Sequence, residues 1–319
     1  MERIKGISVV VPFLNEEEVI EKFCAAIDAY QRNFSVPLEL VFVDDGSSDN
    51  TIDKIRNYKF INIHRVKIVE LSKNCGSHAA IRAGLQNVSY DVVTWMGSDL
   101  QEPLEMLQLG MEQIIQGYDA VYFEKKAVKV SVMEKCFSGI YSWLMRKYAV
   151  KNFESGGINA IMINKKVLTM MNENIESNSS VILQVLNAGF KHTTISVEYN
   201  ARSGGKSKWT LSKKIKLFID SFVAFSFMPI RLVSVVGILM FMVGIVIGIL
   251  TIINKLVEPS VPVGYSTLAS IMALGFGITN ISLGIIAEYL WRAYDAARKR
   301  PAFIISDVID VMKDESVNQ

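Results

Sequence analysis

Two uncharged runs near the C-terminus restrict what this chain can fold into more than any other feature of its sequence. Leu232 to Ile253, LVSVVGILMFMVGIVIGILTII, spans 22 residues, and Pro259 to Ala287 spans 29. An α-helix needs about 20 apolar residues to cross the hydrocarbon layer of a bilayer. Neither run offers the polar face by which a soluble helix meets water, so the pattern predicts two transmembrane helices over 231–290. A hydrophobic content of 50%, high for a soluble protein, is concentrated there.

Flanking charge sets the expected orientation. Arg202, Lys206, Lys208, Lys213, Lys214, Lys216 and Arg231 precede the spans, and Arg292, Arg298, Lys299 and Arg300 follow them. The loop between carries Lys255 against Glu258. The positive-inside rule then places both termini in the cytoplasm of a multi-pass protein of the cell inner membrane. ISVVVPFL, near the N-terminus, is too short for a signal peptide and runs straight into acidic residues. Cys24, Cys75 and Cys136 are odd in number and far apart, so they read as reduced cytosolic thiols rather than a disulfide framework or zinc site. A net charge of +2 says little about partners, because the cations are clustered; no nucleic-acid partner is expected.

Ahead of the spans the period changes. GISVVVPFL is a β-rich run, and Val19, Ile20, Phe23, Ala26, Ile27 and Tyr30 follow at helical spacing. LELVFVDDGSSDNT, VKIVELS and DVVTWMGSD each end a further apolar run in polar residues, with IDKIRNY and HAAIRAGLQNV as helices between. Such alternation predicts an α/β domain with a mostly parallel sheet over 1–209, where ligands sit beyond the carboxyl ends of the strands. Asn15, Asp44, Asp45, Lys73, Asn74 and Asp99 occupy those ends. An amphipathic helix is expected over 210–230, with Leu211, Ile215, Phe218, Ile219, Phe222 and Phe225 on its apolar side, and a cytoplasmic tail over 291–319. MGSDLQEP leaves two readings open on residues alone: Asp99, Glu102 and Pro103 suit a helix start, and Asp99 also suits a metal ligand.

At VVVPFLNEEE, VFVDDGSSDNT, LSKNCGSHAAIRAG and MGSDLQEPLE the sequence resembles the family 2 glycosyltransferases, which bind nucleotide sugars on a glycosyltransferase-A-type α/β fold. RSGGKSKW, the paired spans and EYLWRAYDAARKRP narrow this resemblance to the membrane-anchored polyprenyl-phosphate glycosyltransferases, the group of the dolichol-phosphate mannose synthases and bactoprenol glucosyltransferases. It covers nearly the whole chain, in order.

The resemblance implies that Asp44 accepts from the nucleotide base and Asp45 helps fix the pocket, with Pro12, Asn15 and Glu16 lining it and Lys73 facing it from the third strand. An Asx turn with Gly46 is the plainer reading of the same residues. The family's Asp-x-Asp-x-Gln, which holds Mg²⁺ or Mn²⁺ against the donor diphosphate, has Gly97 in first place here. Asp99 and Gln101 remain as ligands of an expected weaker site, with Glu102 a possible substitute. Asn159 stands where the family commonly carries a catalytic Asp, and an Asn takes no proton at working pH. A phosphate monoester, with its second pKa near 6, is already ionised and needs placement more than deprotonation. On RSGGKSKW, Arg202, Lys206, Ser207 and Lys208 suit the acceptor phosphate, and also suit an anionic lipid surface. EKCFSGIYSWLMRKYA resembles an acceptor-side helix, with Lys135 and Ser138. His64, His78 and His192 read as structural or surface residues.

The function so implied is inverting transfer of a hexose from a nucleotide-diphosphate sugar, UDP ahead of GDP, to an undecaprenyl-type polyprenyl phosphate at the cytoplasmic face, for cell-envelope glycan modification. Close helix approach at Gly237, Gly244 and Gly248 would permit a homo-oligomer. The alternative, motivated by Gly97 and Asn159, is a catalytically impaired scaffold that keeps the fold and binds nucleotide. A processive polysaccharide synthase fits less well, because two spans form no obvious channel and the chain lacks a Gln-x-x-Arg-Trp motif.

Overall fold

The computed structural model describes residues 4–126, 139, 142–148, 158–176, 179–200, 226, 228–257, 264–298 and 300–312. The chain divides into two compact units, residues 1–221 with 301–319, and residues 222–300.

The first unit is built on eight strands: β1 Ile7–Phe13, β2 Leu38–Asp44, β3 Arg65–Leu71, β4 Val92–Trp95, β5 Ala120–Lys125, β6 Ile158–Ile163, β7 His192–Val197 and β8 Ile305–Met312. Their order in the sheet is β7-β5-β6-β4-β1-β2-β3-β8. β2 and β4 are buried at every residue, as strands covered on both faces must be, which is why they read as continuous apolar runs rather than alternating ones. Helices α1 Ile20–Gln31, α2 Thr51–Asn57 and α3 Ser77–Leu85 connect β1 to β4, and β1 pairs in parallel with both β2 and β4. After β3 the chain crosses back over β1, so the strand order reverses between β1 and β4. That reversal opens a crevice at the carboxyl ends of those two strands.

Packing fixes the crossover. Phe42 meets Phe13 and Phe23 edge to face, with ring centroids 6.5 and 6.1 Å apart. α3 lies so close to the sheet that a Cβ on Gly84 would stand 2.3 Å from Val10 Cγ1, which leaves glycine as the residue that fits. At the opposite end of the sheet, Glu39 is fully buried and accepts from Ser8 Oγ at 2.5 Å and from the N–H and Oγ of Ser89, both at 2.6 Å, with Lys67 Nζ at 3.1 Å. A buried charge persists there because hydrogen bonds and a cation saturate it.

Beyond β4 the sheet mixes direction. α4 Met106–Ile115 leads to β5, and β6 runs antiparallel to both β5 and β4, pairing Thr94 with Met162. α5 Lys165–Glu173, N-capped by Asn164, and α6 Val181–Ala188 lead to β7, which is parallel to β5. The segment expected as a tail instead returns to this unit: β8 pairs antiparallel along β3, from Val66–Met312 to Leu71–Ile305. Ile305, Val308, Ile309 and Val311 suit a strand, and an open edge of β3 otherwise awaits a partner.

The second unit holds α7 Met228–Val257 and α8 Tyr265–Arg298, both running past the expected bounds of the apolar stretch. Met228–Ile247 and Leu274–Asp295 are long and apolar enough to cross a membrane. Leu239, Met242, Ile249, Phe276 and Leu283 are exposed, as lipid-facing residues would be. Two hydroxyls on α8 are satisfied within the helix, Thr279 Oγ1 donating to Gly275 O and Ser282 Oγ to Ile278 O. Most of the expected amphipathic helix over 210–230 lies outside the described residues.

Candidate active site

Four strand ends meet at the crevice. Just past β1, Asn15 takes a left-handed φ of 52°, uncommon for a residue other than glycine. Its N–H donates to Ser47 Oγ at 2.9 Å, and its Oδ1 accepts from Ser48 N–H at 2.8 Å. Glu16 N–H donates to Thr51 Oγ1 at 3.0 Å, so the loop after β1 is laced to the loop after β2. Pro12, partly buried, precedes this junction on β1.

Asp44 and Asp45 diverge. Both oxygens of Asp44 accept from Ser47 N–H, at 3.0 and 3.1 Å, closing a turn through Gly46 at φ +81°. A side chain at 46 would also meet Asn74 N at 2.9 Å, so glycine lets the loops carrying Lys73 and Asn74 close over this turn. The Asx turn is therefore present, and it uses only part of the acceptor capacity of a carboxylate. Asp45 reaches the other way: its carboxylate accepts from Cys75 N–H at 2.6 Å and Gly76 N–H at 3.0 Å, at the start of α3. Burial pushes its pKa up, and the two N–H donors pull it back. Asp45 thus joins the second strand end to the third, while Lys73 stays exposed beside the turn.

The loop after β4 bears on the capping reading of MGSDLQEP. α4 begins only at Met106, and its N-cap position is Glu105, whose side chain makes no capping bond. Asp99 instead turns back on its own loop, Oδ1 accepting from Gln101 N–H at 3.3 Å, with Leu100 at φ 55°. Glu102 Oε2 accepts from Gly97 N–H at 3.3 Å. A Cβ built on Gly97 would lie 3.1 Å from Asp99 Oδ1 and 3.5 Å from Glu102 Oε2, so both carboxylates face the space above that glycine. Among the described residues no group of three or more His, Cys, Asp or Glu could enclose a metal. A hard cation that takes its remaining ligands from phosphates and water needs only one or two carboxylates, and Asp99, Glu102 and Gln101 fit that pattern of oxygen donors.

One residue that the sequence did not mark ties this loop to a distant segment. Asn200 N–H donates to Gln101 O at 2.9 Å, and Asn200 Nδ2 donates to Leu100 O at 3.3 Å. Asn200 is the last described residue before RSGGKSKW. Arg202, Lys206, Ser207 and Lys208 lie outside the described residues, as do Lys135 and Ser138. Asn159 stands on β6, whose antiparallel run beside β4 brings its first residues to the same end of the sheet as Gly97. Neither a single asparagine after a strand nor the backbone donors of Cys75 and Gly76 carries a sequence signal.

Two of the histidines have structural partners. His78 Nδ1 accepts from Val181 N–H at 3.5 Å, and burial, helped by Arg82, pushes its pKa down to about 4. Arg82 is itself buried and donates to Gln184 Oε1 and Ser179 Oγ. His192 packs edge to face on Tyr122, and His64 is exposed.

A mostly parallel sheet with its polar loops gathered at a strand-order reversal, in one chain with two helices long and apolar enough to cross a membrane, defines a membrane-associated α/β protein. Residues 8–169 match the model of Glycosyl transferase family 2, and residues 228–292 match that of the GtrB C-terminal hairpin. The chain belongs to glycosyltransferase family 2, in the arrangement of the polyprenyl-phosphate glycosyltransferases. It is 32% identical over 299 residues to the uncharacterized glycosyltransferase YkcC of Bacillus subtilis (strain 168), covering 93% of this chain and 92% of that one. It is 30% identical over 313 residues to the undecaprenyl-phosphate 4-deoxy-4-formamido-L-arabinose transferase of Serratia proteamaculans (strain 568), covering 97% and 95%. The transferase of that name from Proteus mirabilis (strain HI4320) is 28% identical over 316 residues, covering 98% and 96%.

Proposed function

We propose that this protein moves a hexose from a nucleotide-diphosphate sugar, UDP ahead of GDP, to a polyprenyl phosphate of the undecaprenyl type, inverting the anomeric carbon at the cytoplasmic face of the inner membrane. The observation that carries the reading is the seam of hydrogen bonds at the crevice. Asn15, the Asp44 turn and the Asp99 loop stand on neighbouring strand ends, and Asn200 joins that loop to the chain entering RSGGKSKW. The names of the undecaprenyl-phosphate transferases among its relatives support the acceptor class.

In this reading a lipid phosphate oxygen attacks the anomeric carbon as the bond from that carbon to the nucleoside diphosphate breaks, and the bonding pair departs with the diphosphate. Pro12, Asn15, Glu16, Asp44 and Lys73 hold the nucleotide, and Asp45 keeps the third strand's loop beside them. Asp99 and Gln101 would hold Mg²⁺ or Mn²⁺, which would supply charge shielding for the leaving diphosphate. Arg202, Lys206, Ser207 and Lys208 hold the acceptor phosphate, with Lys135 and Ser138 on its flank. Asn159 orients without taking a proton, which a dianionic phosphate tolerates. The spans, with both termini cytoplasmic and Gly237, Gly244 and Gly248 permitting self-association, keep the site in the plane of the acceptor headgroup.

The test is to incubate the purified protein with undecaprenyl phosphate, Mg²⁺ or Mn²⁺, and a panel of UDP and GDP sugars that includes a pentose derivative, since some relatives are named for one. Nucleotide release and a new glycolipid are expected with at least one donor. Arg202→Ala and Lys208→Ala should each cut glycolipid formation about tenfold, roughly 1.4 kcal/mol of barrier, with nucleotide binding kept. No glycolipid from any donor, with nucleotide still bound, would favour the scaffold. Loss of nucleotide binding in those variants would assign the basic loop to the donor instead.

A further inference from the structure

The pairing of β3 with β2 ends at Glu70, opposite Asp44, but its pairing with β8 runs on. Leu71 stands opposite Ile305, and Ser72 N–H donates to Ile304 O at 2.9 Å. We propose that Ile304, by its carbonyl, and Ser306, by its hydroxyl, are positioning residues of the donor pocket, holding the end of β3 so that Lys73 and Asn74 meet the nucleotide. This deepens the functional reading above and rests on its assignment of the crevice to the nucleotide.

The stretch from Leu71 to Gly76 is tied at both ends, by different parts of the chain. At its far end the Asp45 carboxylate accepts from Cys75 N–H and Gly76 N–H. In between, Asn74 N and the Lys73 carbonyl carbon lie 2.9 and 3.1 Å from where a Cβ on Gly46 would stand, so both residues cross the turn that Asp44 closes. Ser72, Lys73 and Asn74 are exposed, and their course is set by the ties at either end rather than by packing. At the near end the ties come from β8. Between Glu70 and Leu71 the register shifts, with Asp307 facing Glu70 and Ile305 facing Leu71. Ser306 is the extra residue of that bulge, and its Oγ donates to Glu70 O at 2.9 Å. Bulges of this kind bend a strand and re-aim it beside a site. Ile304 is 56% exposed, so what it contributes is its carbonyl and not burial. A strand that merely covered the edge of β3 would have no reason to pass Glu70, where the pairing with β2 stops. With the Ser72 bond made, only Lys73 and Asn74 bridge to Cys75. Without it Ser72 joins them, and one more residue must be ordered whenever nucleotide binds.

Nucleotide affinity, read apart from stability, tests this. The full chain in detergent carries Cys75→Ser and Cys136→Ser as a parent, so that introduced thiols compete only with the buried Cys24. It is titrated calorimetrically with UDP and with GDP in the presence of Mn²⁺. Ser72→Pro removes the N–H donor and should weaken binding of the preferred nucleotide about tenfold, and Ser306→Ala about threefold. In turnover the donor KM should rise by the same factors, with kcat within about twofold of the parent. Ser72 and Ile304 oppose each other across an antiparallel pair, at roughly the 5.5 Å between Cα atoms that a disulfide spans. Ser72→Cys with Ile304→Cys therefore makes the tie covalent. Added to Ser306→Ala, the closed disulfide should restore parental affinity, and reduction should lower it again about threefold. This comparison, made on one protein, serves if Ser72→Pro folds poorly. Ser72→Pro and Ser306→Ala that bind nucleotide as the parent does, or a closed disulfide that leaves the loss unrepaired, overturn the positioning role and leave the donor pocket standing. A parent that binds neither UDP nor GDP overturns the donor reading and this inference with it.

Discussion

Removing the Asn200 clamp should loosen the donor side of the site without unfolding the protein. Leu100 sits in the left-handed region, which costs a residue with a side chain about 1–2 kcal/mol. Asn200 opposes that cost with two hydrogen bonds, 2.9 Å to Gln101 O and 3.3 Å to Leu100 O. A typical intramolecular hydrogen bond contributes about 1 kcal/mol net, and the longer, exposed side-chain bond belongs near 0.5 kcal/mol. Asn200→Ala, which keeps the backbone donor, should therefore weaken nucleotide binding about twofold. Asn200→Pro removes both donors, about 1.5–2 kcal/mol, which no longer offsets the strain at Leu100. The binding-competent loop then becomes the minor form, and apparent affinity for UDP with Mn²⁺ should fall about 10- to 30-fold. Calorimetric titration reads the affinity, and the thermal midpoint should hold in both variants because the clamp lies at the surface. Asn200→Pro binding UDP and Mn²⁺ as tightly as wild type would refute the claim that this residue holds the loop.

Two further perturbations test the scaffold behind the site. The His78 pKa in the fold, about 4, lies below its unfolded value near 6.5, so its contribution to stability is complete above pH 6.5 and is lost as pH falls towards 4. Allowing for partial exposure, this amounts to at most about 2–3 kcal/mol, and urea melts of His78→Gln between pH 7 and 4 should show a shallower decline than wild type. Glu39→Ala takes the acceptor from the buried Ser8 hydroxyl and the ion-pair partner from partly buried Lys67, and should destabilise by about 1–3 kcal/mol in the same melts, with Glu39→Gln costing less.

The first half of the sheet was legible because strands buried on both faces leave long apolar runs, and β1 to β4 each end in polar residues that the fold gathers at one edge. Apolar length likewise announced α7 and α8, since no soluble alternative accommodates an exposed surface of Leu, Ile and Met. What escaped were pairings whose partners are remote in the chain. β8 joins β3 across more than 230 residues, and nothing in ISDVIDVM names its neighbour. Asp45 shows a second kind of loss: an acidic pair reads as a ligand set, yet one member is taken up by backbone N–H groups at Cys75 and Gly76, which every residue type but proline possesses. Asp99 shows a third, because Glu102 and Pro103 imitate a helix start whereas the helix waits until Met106. The left-handed turn at Leu100, for which leucine is a poor advertisement, lies between the two carboxylates.

The strand that pairs with the edge of β3 is made only after both long apolar helices. Ser306 Oγ donates to Glu70 O across 236 residues of sequence, and the whole membrane hairpin lies between them. At about 5–20 residues per second, a ribosome that has finished β3 needs roughly 12–47 seconds to deliver β8. Through that interval the emerging domain carries a bare β3 edge, with ladder groups ready to pair with any extended chain nearby. Insertion of the hairpin into the bilayer and completion of the catalytic sheet are thus successive events on one nascent chain. A stalled or failed insertion would leave the enzyme not merely unanchored but with an open, aggregation-prone flank, which couples quality control of the soluble domain to success at the membrane.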